Sequence, residues 1–181
     1  MLTITVPAGE MFDDKTQRFL SIKEQTLQLE HSLVSLSKWE SKWNKPFLSK
    51  DEKTKEETMD YIRCMTITQN VNPMTYNYLS KSNIEAIHNY IDAPMTATTF
   101  NNTQKGNSRE IITSELIYYW MISFNIPMEC QKWHLNRLLT LIRVCNVKNT
   151  PAKKMSKRDL ASQYASLNAA RRNKLNTKGW P

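Results

Sequence analysis

The chain has 181 residues, 40% of them hydrophobic and 23% charged, with a formal net charge of +8. That suffices for one ordinary domain with an appendage and is too little for two comfortable cores. Three glycines in the whole chain supply few positive-φ turns, which argues against a sandwich or barrel of tight hairpins and favours helices.

Leu2–Val6 alternates apolar and polar residues at period two and is stopped by Pro7-Ala8-Gly9, which predicts a strand. Phe12–Thr16 reads as a turn, because the adjacent Asp13 and Asp14 can bond back to their own backbone. Arg18–Ile22 and Thr26–Leu29 read as two further short strands, with Leu27 and Leu29 on one face.

From Ser32 the period changes. Leu33, Leu36, Trp39, Glu40 and Trp43 are spaced by three and four, which predicts a helix that Pro46 ends. Ser49-Lys50-Asp51-Glu52 has the form of a capping box, with a helix following through Met65. Asn72-Pro73 marks another start, with Met74, Tyr78 and Leu79 on its inner face. Ile84, Ile87, His88 and Ile91 mark a further helix that ends before Pro94. Met95–Asn107 is polar and Thr/Asn-rich, the main loop. Ser108 is expected to cap a helix through Ile111, Ile112, Leu116, Tyr119, Trp120 and Phe124. After Asn125-Ile126-Pro127, a second helix is expected over Met128–Val147, and the two should pack as a hairpin at the centre of the core. Ser156–Asp159 resembles a cap for a last helix over Leu160–Leu175, which carries few large apolar groups and so buries little.

The expected fold class is mainly α (α+β): short N-terminal β-strands or a hairpin, a compact helical domain and a basic C-terminal helix. The corresponding spans are 1–31, 32–149 and 150–181.

The charge is unevenly placed. Lys148–Pro181 holds nine Lys or Arg against one acid, Asp159, which accounts for all of the +8. The preceding 147 residues hold sixteen groups of each sign and sum to zero. Such a tail has three readings. It is a solvated end, a nucleic-acid arm that releases counterions from phosphates, or a segment that docks on an acidic protein partner and folds on contact. The low-burial helix favours the third. Lys153, Lys154, Lys157, Arg158, Arg171 and Arg172 are the candidate contacts. Trp39 and Trp43, interleaved with Lys38, Lys42 and Lys45, are candidate partner-binding aromatics beside a core-packing reading.

Catalytic patterns fare poorly. Glycines at 9, 106 and 179 leave no Walker loop and no G-x-G-x-x-G. No G-x-S-x-G elbow occurs, and His31, His88 and His134 lie in no motif that a triad would use. Cys130 and His134, four apart on a predicted helix, fall short of the roughly four ligands zinc needs. No metal, cofactor or catalytic residue is therefore assigned, and the chain is read as non-enzymatic. Cys64, Cys130 and Cys145 include no CxxC pair and are expected to be reduced thiols. No basic-then-apolar leader opens the chain, and the longest apolar stretch, around Leu116–Ile122, is far short of the roughly 20 residues of a membrane span. Secretion and membrane insertion are not expected.

Five blocks carry a resemblance across nearly the whole chain: Glu30–Trp43 (EHSLVSLSKWESKW), Pro94–Phe100 (PMTATTF), Arg109–Glu115 (REIITSE), Trp133–Leu139 (WHLNRLL) and Leu167–Arg172 (LNAARR). Together they resemble small proteins encoded among the tail genes of tailed bacteriophages and labelled tail assembly chaperones. That resemblance implies a non-catalytic protein of the host bacterial cytoplasm that binds the tape measure protein and the tail tube protein during assembly. It transfers no catalytic residues. A virion component, such as a connector or a capsid- or tail-associated protein, would carry the same signature, and self-association and nucleic-acid binding stay open beside it.

Overall fold

A computed structural model describes residues 1–13, 18–100, 111–150 and 157–175. The fold is mainly α with a small β portion at the N-terminus. The chain divides into two compact units, Met1–Val147 and Lys148–Pro181.

The first unit opens with a β-ribbon. Strands β1 (Leu2–Val6) and β4 (Gln25–Leu29) pair antiparallel, and between them β2 (Gly9–Asp13) pairs with β3 (Arg18–Ile22). Val6 stands opposite Gln25 and Gly9 opposite Ile22, so both pairs share one register. The ladder is interrupted at Pro7, which has no N–H to offer. Ile4, Val6, Leu27 and Leu29 are buried on one face, as the alternation predicts. The edge of β4 is covered by the chain at 65–68. Glu30 N–H donates to Met65 O at 2.9 Å and Ile67 N–H to Gln28 O at 2.8 Å. Phe12 and Asp13, expected in a turn, belong to β2. Cross-strand pairing with β3, invisible to a local reading, decides their conformation. The rest of that expected turn, 14–17, lies outside the described residues.

Gly9 makes this arrangement possible. The ring of Tyr78 occupies the space a Cβ at Gly9 would need. Gly9→Ala is expected to lower stability by about 1–3 kcal/mol through overpacking, read as a drop in thermal midpoint. The Tyr78 hydroxyl is buried with no partner among the described residues. Tyr78→Phe should therefore leave the midpoint unchanged or raise it.

Helix α1 (Leu33–Trp43) begins where Ser32 accepts from Ser35 N–H and ends at Asn44 in the left-handed region at φ 51°. Helix α2 (Lys55–Met65) follows. Its capping box is Thr54 with Glu57, not Ser49 with Glu52 as the motif suggested. Two contacts fix that choice: Trp39 Nε1–H donates to Glu57 O at 2.8 Å, and Lys45 pairs with the Glu57 carboxylate at 2.6 Å. The segment after Asn72 is a 3-10 helix over Pro73–Tyr78. Its tighter period turns Thr75 and Tyr76 inward, while Met74, Tyr78 and Leu79 are half-buried. Helix α3 (Lys81–Asp92) buries Ile87 and Tyr90 and exposes His88.

Helix α4 (Ser114–Ser123) starts later than expected, capped by Thr113. Ser108 lies outside the described residues, and Ile111 and Ile112 precede the helix. Glu40 of α1 sets the start by accepting from Ser114 N–H at 2.7 Å. The predicted helix over Met128–Val147 is two elements, a 3-10 turn (Met128–Lys132) and α5 (Leu135–Asn149). The break falls at Trp133-His134, because His134 there bridges to Ser32, and Leu135 N–H donates to His31 O at 2.7 Å. Long-range pairing outweighs the local helical pattern.

Two apolar clusters result. One joins the ribbon face to Trp39, α2 and α3. The other joins Leu33 and Leu36 to α4 and α5. Helix α1 divides them, with Trp39 facing the first. In the second unit, α6 (Lys157–Leu175) forms a single helix.

Candidate partner-binding surface

Helix α6 has neither glycine nor proline over nineteen residues and no β-branched side chain. It is rich in Ala, Leu and Arg, the better helix formers. At 1.5 Å per residue it is about 28 Å long. Every one of its side chains that the structure describes is exposed. Lys157, Arg158, Arg171 and Arg172 are all on it. Lys153 and Lys154 lie outside the described residues.

Arg172 and Lys174 fall in the last turn, where cations suit the negative end of the helix dipole. Lys157 and Arg158 stand at the opposite end, where the dipole disfavours them by a few tenths of a kcal/mol each. That end of α6 lacks the carboxylates a self-contained helix would carry there, apart from Asp159.

Composition hid one feature of this helix. Three of its four large apolar residues form a pattern: Leu160, Tyr164 and Leu167 follow at spacings of four and three and are 41%, 59% and 47% exposed, while Leu175 ends the helix. They share one face. The 4-3 spacing was the available signal, masked by the low apolar content around it.

No protein-family model, curated protein or solved structure matches this chain.

The two tryptophans separate. Trp39 is 1% exposed, with its indole N–H spent on Glu57 O and its ring edge-on to Phe47 at 5.0 Å. It is a core residue, so the expectation that it contacts a partner is corrected: its helical face points into the cluster between ribbon and α2. Trp43 is half-buried, stacked on Trp39 at 6.2 Å, and donates to Asp60 Oδ2 at 2.9 Å. Two of the three lysines interleaved with them are engaged as well. Lys42 pairs with Asp60 at 2.5 Å and Lys45 with Glu57 at 2.6 Å. Burial pushes the Asp60 carboxyl up, but bonds from Lys42 and Trp43 and the charges of Lys42 and Arg63 outweigh it and hold it below the usual range. The Lys45 hydrogen bond, followed by the Thr54 backbone bond, lowers Glu57 too. This seam fastens α1 to α2 and offers phosphates few free cations.

A pair of buried histidines, unremarked in the sequence as a pair, lies where the ribbon, α1, α3 and α5 meet. The His31 and His134 rings are 5.1 Å apart. Tyr61 Oη lies 2.6 Å from His31 Nδ1. His134 Nδ1 accepts from Asn136 N–H at 3.3 Å, which leaves Nε2–H to donate to Tyr90 O at 2.9 Å. Both rings serve the packing. Cys130 and His134, expected on one helix, are separated: Cys130 lies in the 3-10 turn and His134 in the break before α5. The described residues contain no group of three or more His, Cys, Asp or Glu placed to hold a metal ion. No described helix is long and apolar enough to cross a membrane.

Proposed function

We propose that this chain is a non-catalytic assembly protein, a tail assembly chaperone of a tailed bacteriophage that acts in the host cytoplasm and offers α6 to tape measure and tail tube proteins. One observation carries the binding part of this reading: a nineteen-residue helix whose apolar side chains stand at helical spacing and are exposed. A single helix of this length and mixed composition is marginal in water and draws its stability from packing. A partner supplies that packing. The five resembling blocks supply the identity of the partners.

Co-expression of the full chain with tape measure and tail tube proteins tests it. Co-purification is expected, and removal of residues 157–175 should reduce it at least tenfold. Mass spectrometry of purified particles should find the chain absent; stoichiometric amounts there would instead make it a virion component.

The tail charge favours a second reading, a nucleic-acid arm. It requires DNA or RNA binding that falls steeply with salt and disappears when residues 148–181 are removed. No binding at low salt removes it.

A further inference from the structure

We infer that α6 pairs lengthwise with one helix of a partner protein, apolar in its middle and acidic at both ends; this rests on the binding role proposed above. The pairing face follows from spacing. Lys157, Leu160, Tyr164, Leu167, Arg171 and Lys174 succeed one another at three, four, three, four and three residues, the rhythm of a two-helix seam. Their side chains fall on one side of the helix along about 26 Å.

The chemistry of that seam is patterned. Three apolar side chains, all exposed, occupy its centre. A lysine closes one end, and an arginine and a lysine close the other, each exposed. Ala161, Gln163, Asn168, Ala170 and Leu175 border the seam. They are small or uncharged, so another backbone can approach closely and no flanking charge selects the partner. Selection falls to the ends.

That pattern excludes a second copy of α6. A parallel pair sets Lys157 against Lys157 and Arg171 against Arg171. An antiparallel pair centred between Tyr164 and Leu167 sets Lys157 against Lys174. Cations at both ends meet cations in either direction, and like charges across a seam are destabilising. A helix with Leu or Ile opposite the centre and Glu or Asp opposite both ends meets every position. A phosphate backbone would satisfy the cations and leave Leu160, Tyr164 and Leu167 in water. So short a seam makes a weak, reversible contact.

The probe is a synthetic helical peptide of about three heptads, with Glu at the seam ends, Leu or Ile at its centre and uncharged polar residues elsewhere. A control peptide replaces the seam Glu by Lys. Calorimetric titration into the full-length chain should show the acidic peptide bound at least tenfold more tightly than the control. Leu167→Asp and Arg171→Glu should each weaken binding at least tenfold, and the Arg171→Glu loss should be recovered when the facing Glu of the peptide becomes Lys. Far-UV circular dichroism verifies that the variants keep their helix content.

Equal binding of the two peptides overturns the pairing. So does sedimentation of the chain as a dimer that Leu167→Asp dissociates, or duplex DNA binding that Arg171→Glu abolishes and Leu167→Asp leaves intact, when the acidic peptide is not bound. Peptide discrimination without capture of tail proteins sustains the pairing and overturns the tail-assembly identity. Capture of tail proteins without peptide discrimination overturns the pairing alone.

Discussion

Trp39→Ala is expected to lower the unfolding free energy by about 3–5 kcal/mol, the range for deleting a large aromatic from a packed core. The side chain is 1% exposed, so nearly its whole surface is lost from contact. Phe47 loses an edge-on neighbour at 5.0 Å and Trp43 a stacked one at 6.2 Å. The Glu57 carbonyl also loses the indole donor that helps seat the first turn of α2. Against a total stability of about 5–15 kcal/mol, such a loss brings the domain close to unfolding. Urea denaturation reads it directly. Trp43→Ala, at a half-buried site, should cost about 1 kcal/mol. Equal, small effects at both positions would mean that Trp39 is not the core residue described here. Any partner binding lost in Trp39→Ala therefore reports unfolding, whereas Trp43→Ala tests the surface.

Acidification should destabilise the first unit between about pH 6.5 and 4. His31 is 2% exposed. Burial first, and the neighbouring His134 second, lower its pKa from 6.5 to about 4. The sign follows from where the proton goes. Between those values the unfolded chain holds a proton on His31 that the folded chain does not, so stability rises with pH through that window and is lost as pH falls. The gap corresponds to about 3 kcal/mol at full effect.

The surroundings offer a charged imidazole little relief. Tyr61 Oη bonds Nδ1, the His134 ring faces it, and Tyr90 stands against His134 at 4.9 Å. The carboxylate of Glu30, next to His31 in sequence, is already bonded by the Tyr90 hydroxyl at 2.6 Å and the N-terminal amine at 2.9 Å. Urea midpoints measured from pH 7.5 to 4 should fall steadily, and a flat profile down to pH 4.5 would sink the prediction. Asp60 and Glu57 add to the loss at the acid end: their lowered pKa values give stability that fades as pH falls through the ordinary carboxylate range and below it.

Both effects arise from contacts that a one-dimensional reading cannot reach. The sequence holds two tryptophans four residues apart on one helix, and periodicity places them on the same side. Which of them is sealed depends on α2 and Phe47 closing over Trp39 while Trp43 stays at the rim. Ser49-Lys50-Asp51-Glu52 and Thr54-Lys55-Glu56-Glu57 are both valid caps on paper. Glu57 prevails because Trp39 and Lys45 already hold it. The histidines are 103 positions apart, and nothing local in either sequence context announces the other.

What the sequence determined by itself is whatever nearest neighbours decide: the short ribbon strands at Leu2–Val6 and Thr26–Leu29, the three-and-four spacing of α1 and α3, the stop at Pro46, and the segregation of all net charge beyond Val147. The tertiary structure decided the rest. It made Phe12 and Asp13 a strand by pairing them with β3, and it broke the Met128–Val147 run at His134. It also turned Trp39 inward and set His31 beside His134. In these cases long-range pairing and packing outweigh a local preference worth only a few tenths of a kcal/mol per residue. Helix α6 is the converse case. With none of its described side chains buried, it is shaped by its own sequence, and the pattern along it is there to be read by a partner.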